Sequence, residues 1–248
     1  MEIPVNFLFL LLLHCVFLFG LPLNDTTDAQ LSLTKRDPIP SGSELWLGAI
    51  PGDHGAKTFH GYLKVAGTTQ PYLLPDDQKN DRTYVATTCR NVAENVFRKW
   101  ESMFKAYHIP ETLIFAVVHV PDVGFYYATK PTKGTSAAQA MLSSTAINVA
   151  EYWKRAASER ETLKHLHSED AALYKLEERV RDLPVRENWE HRAPYPYRGS
   201  YLCAFGYYKE PPNGVYIKPC ADPKNSPISC QTVLIRLGIA SERSPWTK

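Results

Sequence analysis

The sequence predicts an α/β (α+β) fold, one domain in which a mixed sheet is flanked by helices. Three observations carry this expectation. Leu113 to Val120 (LIFAVVHV) is a near-continuous β-favouring run, the mark of a strand covered on both faces. Apolar residues recur at helical spacing over 89–107 and again across 136–180. Shorter β-favouring runs precede and follow these stretches, so strands and helices are mixed along one chain without internal repeats.

The first 36 residues stand apart from that domain. Phe7 to Phe19 is almost unbroken apolar sequence, interrupted only by His14 and Cys15. It is shorter than the roughly 20 residues a spanning helix needs, so residues 1–20 are expected to be a signal peptide cut near Gly20. The n-region is atypical in carrying Glu2 and no Lys or Arg. Residues 21–36 are expected to be a propeptide ending at Lys35-Arg36, a dibasic processing site; the plain alternative is a basic pair in a linker. The sequon Asn24-Asp25-Thr26 would leave with it. The expected product is a secreted, extracellular domain over 37–248 with no membrane anchor, long enough for one core. Of 28 basic and 26 acidic residues, 26 and 23 remain after Arg36, a balance that neither implies nor forbids a nucleic-acid surface.

Within the domain, Leu45–Ile50 and Phe59–Val65 are short candidate strands, closed by Pro51-Gly52 and Gly67. Asp76–Arg82 reads as a charged loop. Thr88 is the expected N-cap of a helix over 89–107, with Val92, Val96, Trp100, Met103, Phe104 and Tyr107 as its apolar stripe. Strand 113–120 turns at Pro121–Gly124 and returns over 125–129. His119, inside that strand, reads as a satisfied, half-buried histidine rather than a ligand. A helix is expected over 136–157, restarting at the capping box of Ser158 and Glu161 and running to Val180. Residues 184–199 form a loop, and 200–208 with 215–218 a hairpin. Ser226-Pro227 is the expected start of a last helix, Gly238 its stop, and the tail from Ala240 is expected to be loose.

Four cysteines remain after the signal segment: Cys89, Cys203, Cys220 and Cys230. In an oxidising compartment they read first as two disulfides, Cys89 with Cys203 and Cys220 with Cys230 being one of three pairings. A second reading joins two of them to His167. One imidazole and two thiolates suit a zinc ion that keeps an open position, and such a zinc makes a nucleophile of water near neutral pH. Glu169, two residues beyond His167, would be the carboxylate that moves the proton. Cys230, at a helix start, is expected to favour the thiolate.

His167-Ser168-Glu169 followed by Ala171-Ala172-Leu173 resembles the H-x-E helix of the cytidine-deaminase-like superfamily, and Pro219-Cys220 with Cys230 resembles its P-C…C element. The run through Leu237-Gly238-Ile239 is similar to secreted fungal proteins with toxin-type deaminase-like domains, the likeness spanning about 113–239. It implies a zinc-dependent hydrolase, Glu169 catalytic, His167, Cys220 and Cys230 as metal ligands, a nucleobase or nucleic acid as substrate, and a host or competitor as target. The sequence departs from the family in placing nine residues between the cysteines, where P-C-x-x-C is usual, and in ending ten residues past Gly238, where two more strands are usual. Two other readings stand beside it. One is a non-catalytic, disulfide-stabilised secreted effector. The other is a ribonuclease using a pair among His54, His60, His119, His165 and His191, for which no spacing selects a pair. The loop Trp189–Arg198 would offer stacking faces and phosphate contacts to a base, or pack over the sheet.

Overall fold

A computed structural model of the chain describes residues 39–51, 57–104, 112–131, 148–149, 167–180, 197–208, 214–220 and 229–242. The expected signal peptide, propeptide and dibasic site lie outside these residues. So do most of the 136–157 helix, its restart at Ser158, and His54, His165 and His191.

The centre of the fold is the strand that the apolar run announced. Strand β3 (Thr112–Val120) pairs antiparallel with β4 (Gly124–Thr129), Ala116 opposite Ala128, and on its other side with β5 (Tyr201–Tyr208), Ala116 opposite Ala204. Every residue of β3 from Leu113 to Val120 is buried, because both faces are covered. The N-terminal strands β1 (Ser43–Pro51) and β2 (Lys57–Val65) form a hairpin that joins the sheet through β4. Beyond β5 lies β6 (Val215–Ile217), so the order is β1-β2-β4-β3-β5-β6. Seven strands and three helices occupy the described residues: an α+β fold built on one mixed sheet. All of them fall in a single compact unit, Lys35–Lys248.

Alternation along β3 divides the core. Leu113, Phe115 and Val117 face helix α1 (Arg82–Phe104), against Val85, Val92, Val96, Phe97 and Trp100. Ile114, Ala116, Val118 and Val120 face helices α2 (Ser168–Arg179) and α3 (Cys230–Leu237), against Ala171, Ala172, Leu173, Leu176, Val233, Leu234 and Leu237. Each large apolar side chain so buried contributes roughly 1.5–3 kcal/mol. None of the described helices is long and apolar enough to cross a membrane.

Four expectations are corrected. Helix α1 begins at Arg82, not Cys89, because Asp81 Oδ1 accepts the amides of Thr83 and Tyr84 at 2.9 and 3.1 Å and caps it; Thr88 is buried inside the helix. Helix α3 begins at Cys230, capped by Ser229, whose Oγ accepts the amide of Thr232 at 3.2 Å. The tail is not loose: Ala240–Ser241 forms β7, parallel to β5, and Arg90 Nε donates to Glu242 Oε1 at 2.6 Å. His119 is fully buried, its ring against Phe125 at 4.5 Å, and its Nδ1 has no hydrogen-bond partner among the described residues. The stop at Gly238 is as expected, in a left-handed conformation (φ 78°) that a residue with a Cβ adopts only at a cost.

Candidate metal centre

Helices α2 and α3 begin at the same place, and the site is built from those two beginnings. His167 is the N-cap of α2, with extended backbone (φ −96°, ψ 174°) that turns the chain into the helix. Asp170, at the third helical position, reaches back so that its Oδ2 accepts the amide of His167 at 3.2 Å. This reciprocal bond fixes the backbone that carries the imidazole. The usual box pairs Ser or Thr with Glu or Gln, so a His–Asp version gave no sequence signal.

Cys220 follows β6, and Cys230 is the first residue of α3. The two cysteines are tied to each other directly: the Gln231 amide donates to the carbonyl oxygen of Cys220 at 3.1 Å, and the Cys230 amide to Cys220 Sγ at 3.2 Å. His167 Nδ1 lies 3.0 Å from Cys230 Sγ and 3.5 Å from Cys220 Sγ. The three donor atoms all fall within 4.8 Å of one another, close enough to bind one metal ion. Residues 53 and 63 positions apart have thus been brought to a single point, and the nine-residue gap between the cysteines does not prevent it.

The electrostatics of the cluster are those of a shared proton. Cys220 is pulled well below the ordinary thiol range by the hydrogen bond from Cys230, the imidazole of His167 and the Cys230 amide adding to it. Cys230, donating that bond in a dry setting, is pushed up. The helix start therefore favours the thiolate at Cys220 rather than at Cys230, because the free amide of α3 is directed at the sulfur of Cys220. His167 is raised, first by its hydrogen bond with Cys220.

Glu169 stands at the second position of α2. It is 5% exposed, and Ser168 Oγ donates to its Oε2 at 3.0 Å. Burial raises its carboxyl above the usual range, while the charge of His167 opposes the rise. It is near enough to act electrostatically on His167 and Cys230.

The other expected participants do not gather here. His60 and His119 lie on opposite faces of the sheet, since His60 aligns with Ala128 and Ala116 while His119 aligns with Phe125. No two-histidine site forms between them. Of the loop Trp189–Arg198 only Tyr197 and Arg198 are described, and Tyr197 is fully buried with its hydroxyl donating to Glu177, so it offers no stacking face. Cys89 and Cys203 are free thiols facing each other, Sγ to Sγ 3.3 Å, away from the cluster on the α1 face.

Comparison with protein-family models, with curated proteins and with solved structures gives no match.

Proposed function

We propose that this chain is a secreted, zinc-dependent deaminase-like hydrolase acting on a nucleobase, and that it works as a toxin or effector on a host or competitor. The observation that carries the reading is the convergence of His167, Cys220 and Cys230 beside the buried carboxylate of Glu169. One imidazole and two thiolates are a donor set that zinc takes readily, in preference to hard oxygen-seeking cations. Tetrahedral zinc with the usual bond lengths sets nitrogen and sulfur ligands about 3.5 Å apart, and the two separations here are 3.0 and 3.5 Å. When bound, zinc supplies a Lewis acid that makes water nucleophilic near neutral pH.

The chain's own residues supply the rest. Glu169 holds the proton that must pass from the attacking water to the leaving amine, and its raised proton affinity suits both halves of that transfer. Ser168 anchors Oε2 and so fixes the carboxylate's orientation. Asp170 holds the backbone of His167, which keeps Nδ1 turned to the sulfurs. The reading of Lys35-Arg36 as a processing site and of residues 1–20 as a signal peptide supports secretion.

A non-catalytic, disulfide-stabilised effector is the second reading, favoured by the closeness of Cys220 and Cys230 sulfurs, within 4.8 Å. One experiment separates the two. Zinc content is measured by elemental analysis, and ammonia release is followed on cytidine, adenosine and single-stranded RNA and DNA. The expected result is one zinc per chain in wild type and in Glu169→Ala, with ammonia release lower in the variant by about 10²–10⁴-fold. A zinc-free protein with a Cys220–Cys230 disulfide would establish the effector reading instead.

A further inference from the structure

The four cysteines occupy opposite faces of one sheet, and the two pairs meet different surroundings. Cys89, on α1, and Cys203, on β5, face one another in the core beneath α1, 0% and 1% exposed. Cys89 Sγ also lies 3.3 Å from the carbonyl oxygen of Val117 and 3.9 Å from that of Tyr201. The only metal-competent cluster among the described residues is on the other face, around His167. The geometry points to a fixed division of the thiols: Cys89 and Cys203 form an intrachain disulfide that staples α1 to β5, while Cys220 and Cys230 remain metal-binding thiolates.

Three features lead to this assignment. The sulfurs of Cys89 and Cys203 need to approach by little more than 1 Å to reach bonding distance, which is about 2.05 Å. Among the described residues, no imidazole or carboxylate joins this pair of thiols in a metal-competent cluster. The sheet separates the two pairs, so crossed pairings would require a sulfur to pass through β3 and β5. Of the single disulfides that four cysteines allow, only Cys89–Cys203 leaves both Cys220 and Cys230 as thiols beside His167.

The oxidation balances with a disulfide donor such as oxidised glutathione. One protein thiol, as thiolate, attacks a glutathione sulfur and releases one glutathione thiolate, leaving a mixed disulfide. The second protein thiolate attacks the protein sulfur of that mixed disulfide and releases the second glutathione. Two protein thiols are oxidised, one glutathione disulfide is reduced to two thiols, and the two protons pass to them. Burial of both sulfurs places this exchange before the core closes and shields the finished bond afterwards.

Only the source of the oxidant depends on the proposed export, so the pairing is tested without it. The full chain is refolded with zinc in a glutathione redox buffer, alkylated after denaturation, and mapped by mass spectrometry without reduction. The expected map has a Cys89–Cys203 cross-linked peptide and alkylated Cys220 and Cys230. A Cys220–Cys230 or crossed peptide, or four alkylated cysteines, would overturn the assignment. Reduction should lower the melting temperature of the oxidised protein by about 10 °C, from the loss of a long-loop cross-link. Cys203→Ala should lose that reductant sensitivity while keeping its zinc, and an unchanged reductant effect in this variant would also overturn it. Failure to be exported from a eukaryotic host would bear on secretion alone.

Discussion

His119 shows how one residue sets an acid limit on this fold. Its ring is packed against Phe125, Nδ1 has no partner among the described residues, and burial holds its pKa down to about 4. Because the folded value lies below the unfolded one of 6.5, the unfolded chain binds more protons between them. Stability from this group is full above pH 6.5 and is lost as pH falls toward 4. His60, similarly pushed down to about 4 by burial, acts in the same direction. Replacing His119 with Phe should remove both the unpaired nitrogen and the protonation penalty. Urea denaturation should show His119→Phe more stable by about 1–3 kcal/mol near neutral pH, with the gain growing between pH 6.5 and 4. A variant less stable at every pH would show that packing, not the nitrogen, governs the position.

At the scale of elements, Glu177 ties three segments together. From α2 it accepts the Tyr197 hydroxyl, the Val149 amide at 3.1 Å, and both backbone and side-chain bonds from Asn148. Burial outweighs these donors and lifts its carboxyl to about 7. The sign is opposite to that of the histidines: the folded chain holds the proton longer, so this group's contribution falls as pH rises from 4.5 through 7. Glu177→Gln keeps the shape and removes the ionisation. Its melting temperature relative to wild type should rise across that window, equivalent to at most about 3 kcal/mol, and a difference flat with pH would dismiss the effect. Such a network was not legible in the sequence, because Glu177 and Tyr197 belong to segments with no common pattern. The central strand was legible, since Leu113–Val120 is a β-favouring run, apolar but for His119, and the turn Pro121–Gly124 follows it. The start of α1 was missed because Asp76–Arg82 reads as a charged loop and Thr88 offers a capping hydroxyl just before the apolar stripe. At the site, residue types and their order were enough to select His167, Cys220 and Cys230. Which sulfur takes the amide of α3 depends on how the chain returns from Cys220, and no spacing encodes that.

For the whole molecule, the candidate metal centre is a junction between β6, α2 and α3, so a metal ion held there, as proposed, would link its binding to folding. Chelation should lower the melting temperature of the wild type by several degrees, by differential scanning calorimetry, and should leave His167→Ala, already without zinc, nearly unchanged. An equal response in both would mean that the chelator acts elsewhere. The sheet order has a further meaning in time. β3 pairs with β4 after a tight turn, but its pairing with β5 joins residues 82 to 96 positions apart, such as Val117 and Cys203. The hairpins β1–β2 and β3–β4 need only local encounters, whereas the docking of β5 requires the closure of a long loop and is expected to be the slow, late event in folding. That same strand brings Cys203 to Cys89 and, through β6, leads Cys220 toward His167. The proposed cross-link and metal site would both wait on this single strand, and a folding chain stalled before β5 docks would hold all its thiols open to wrong partners.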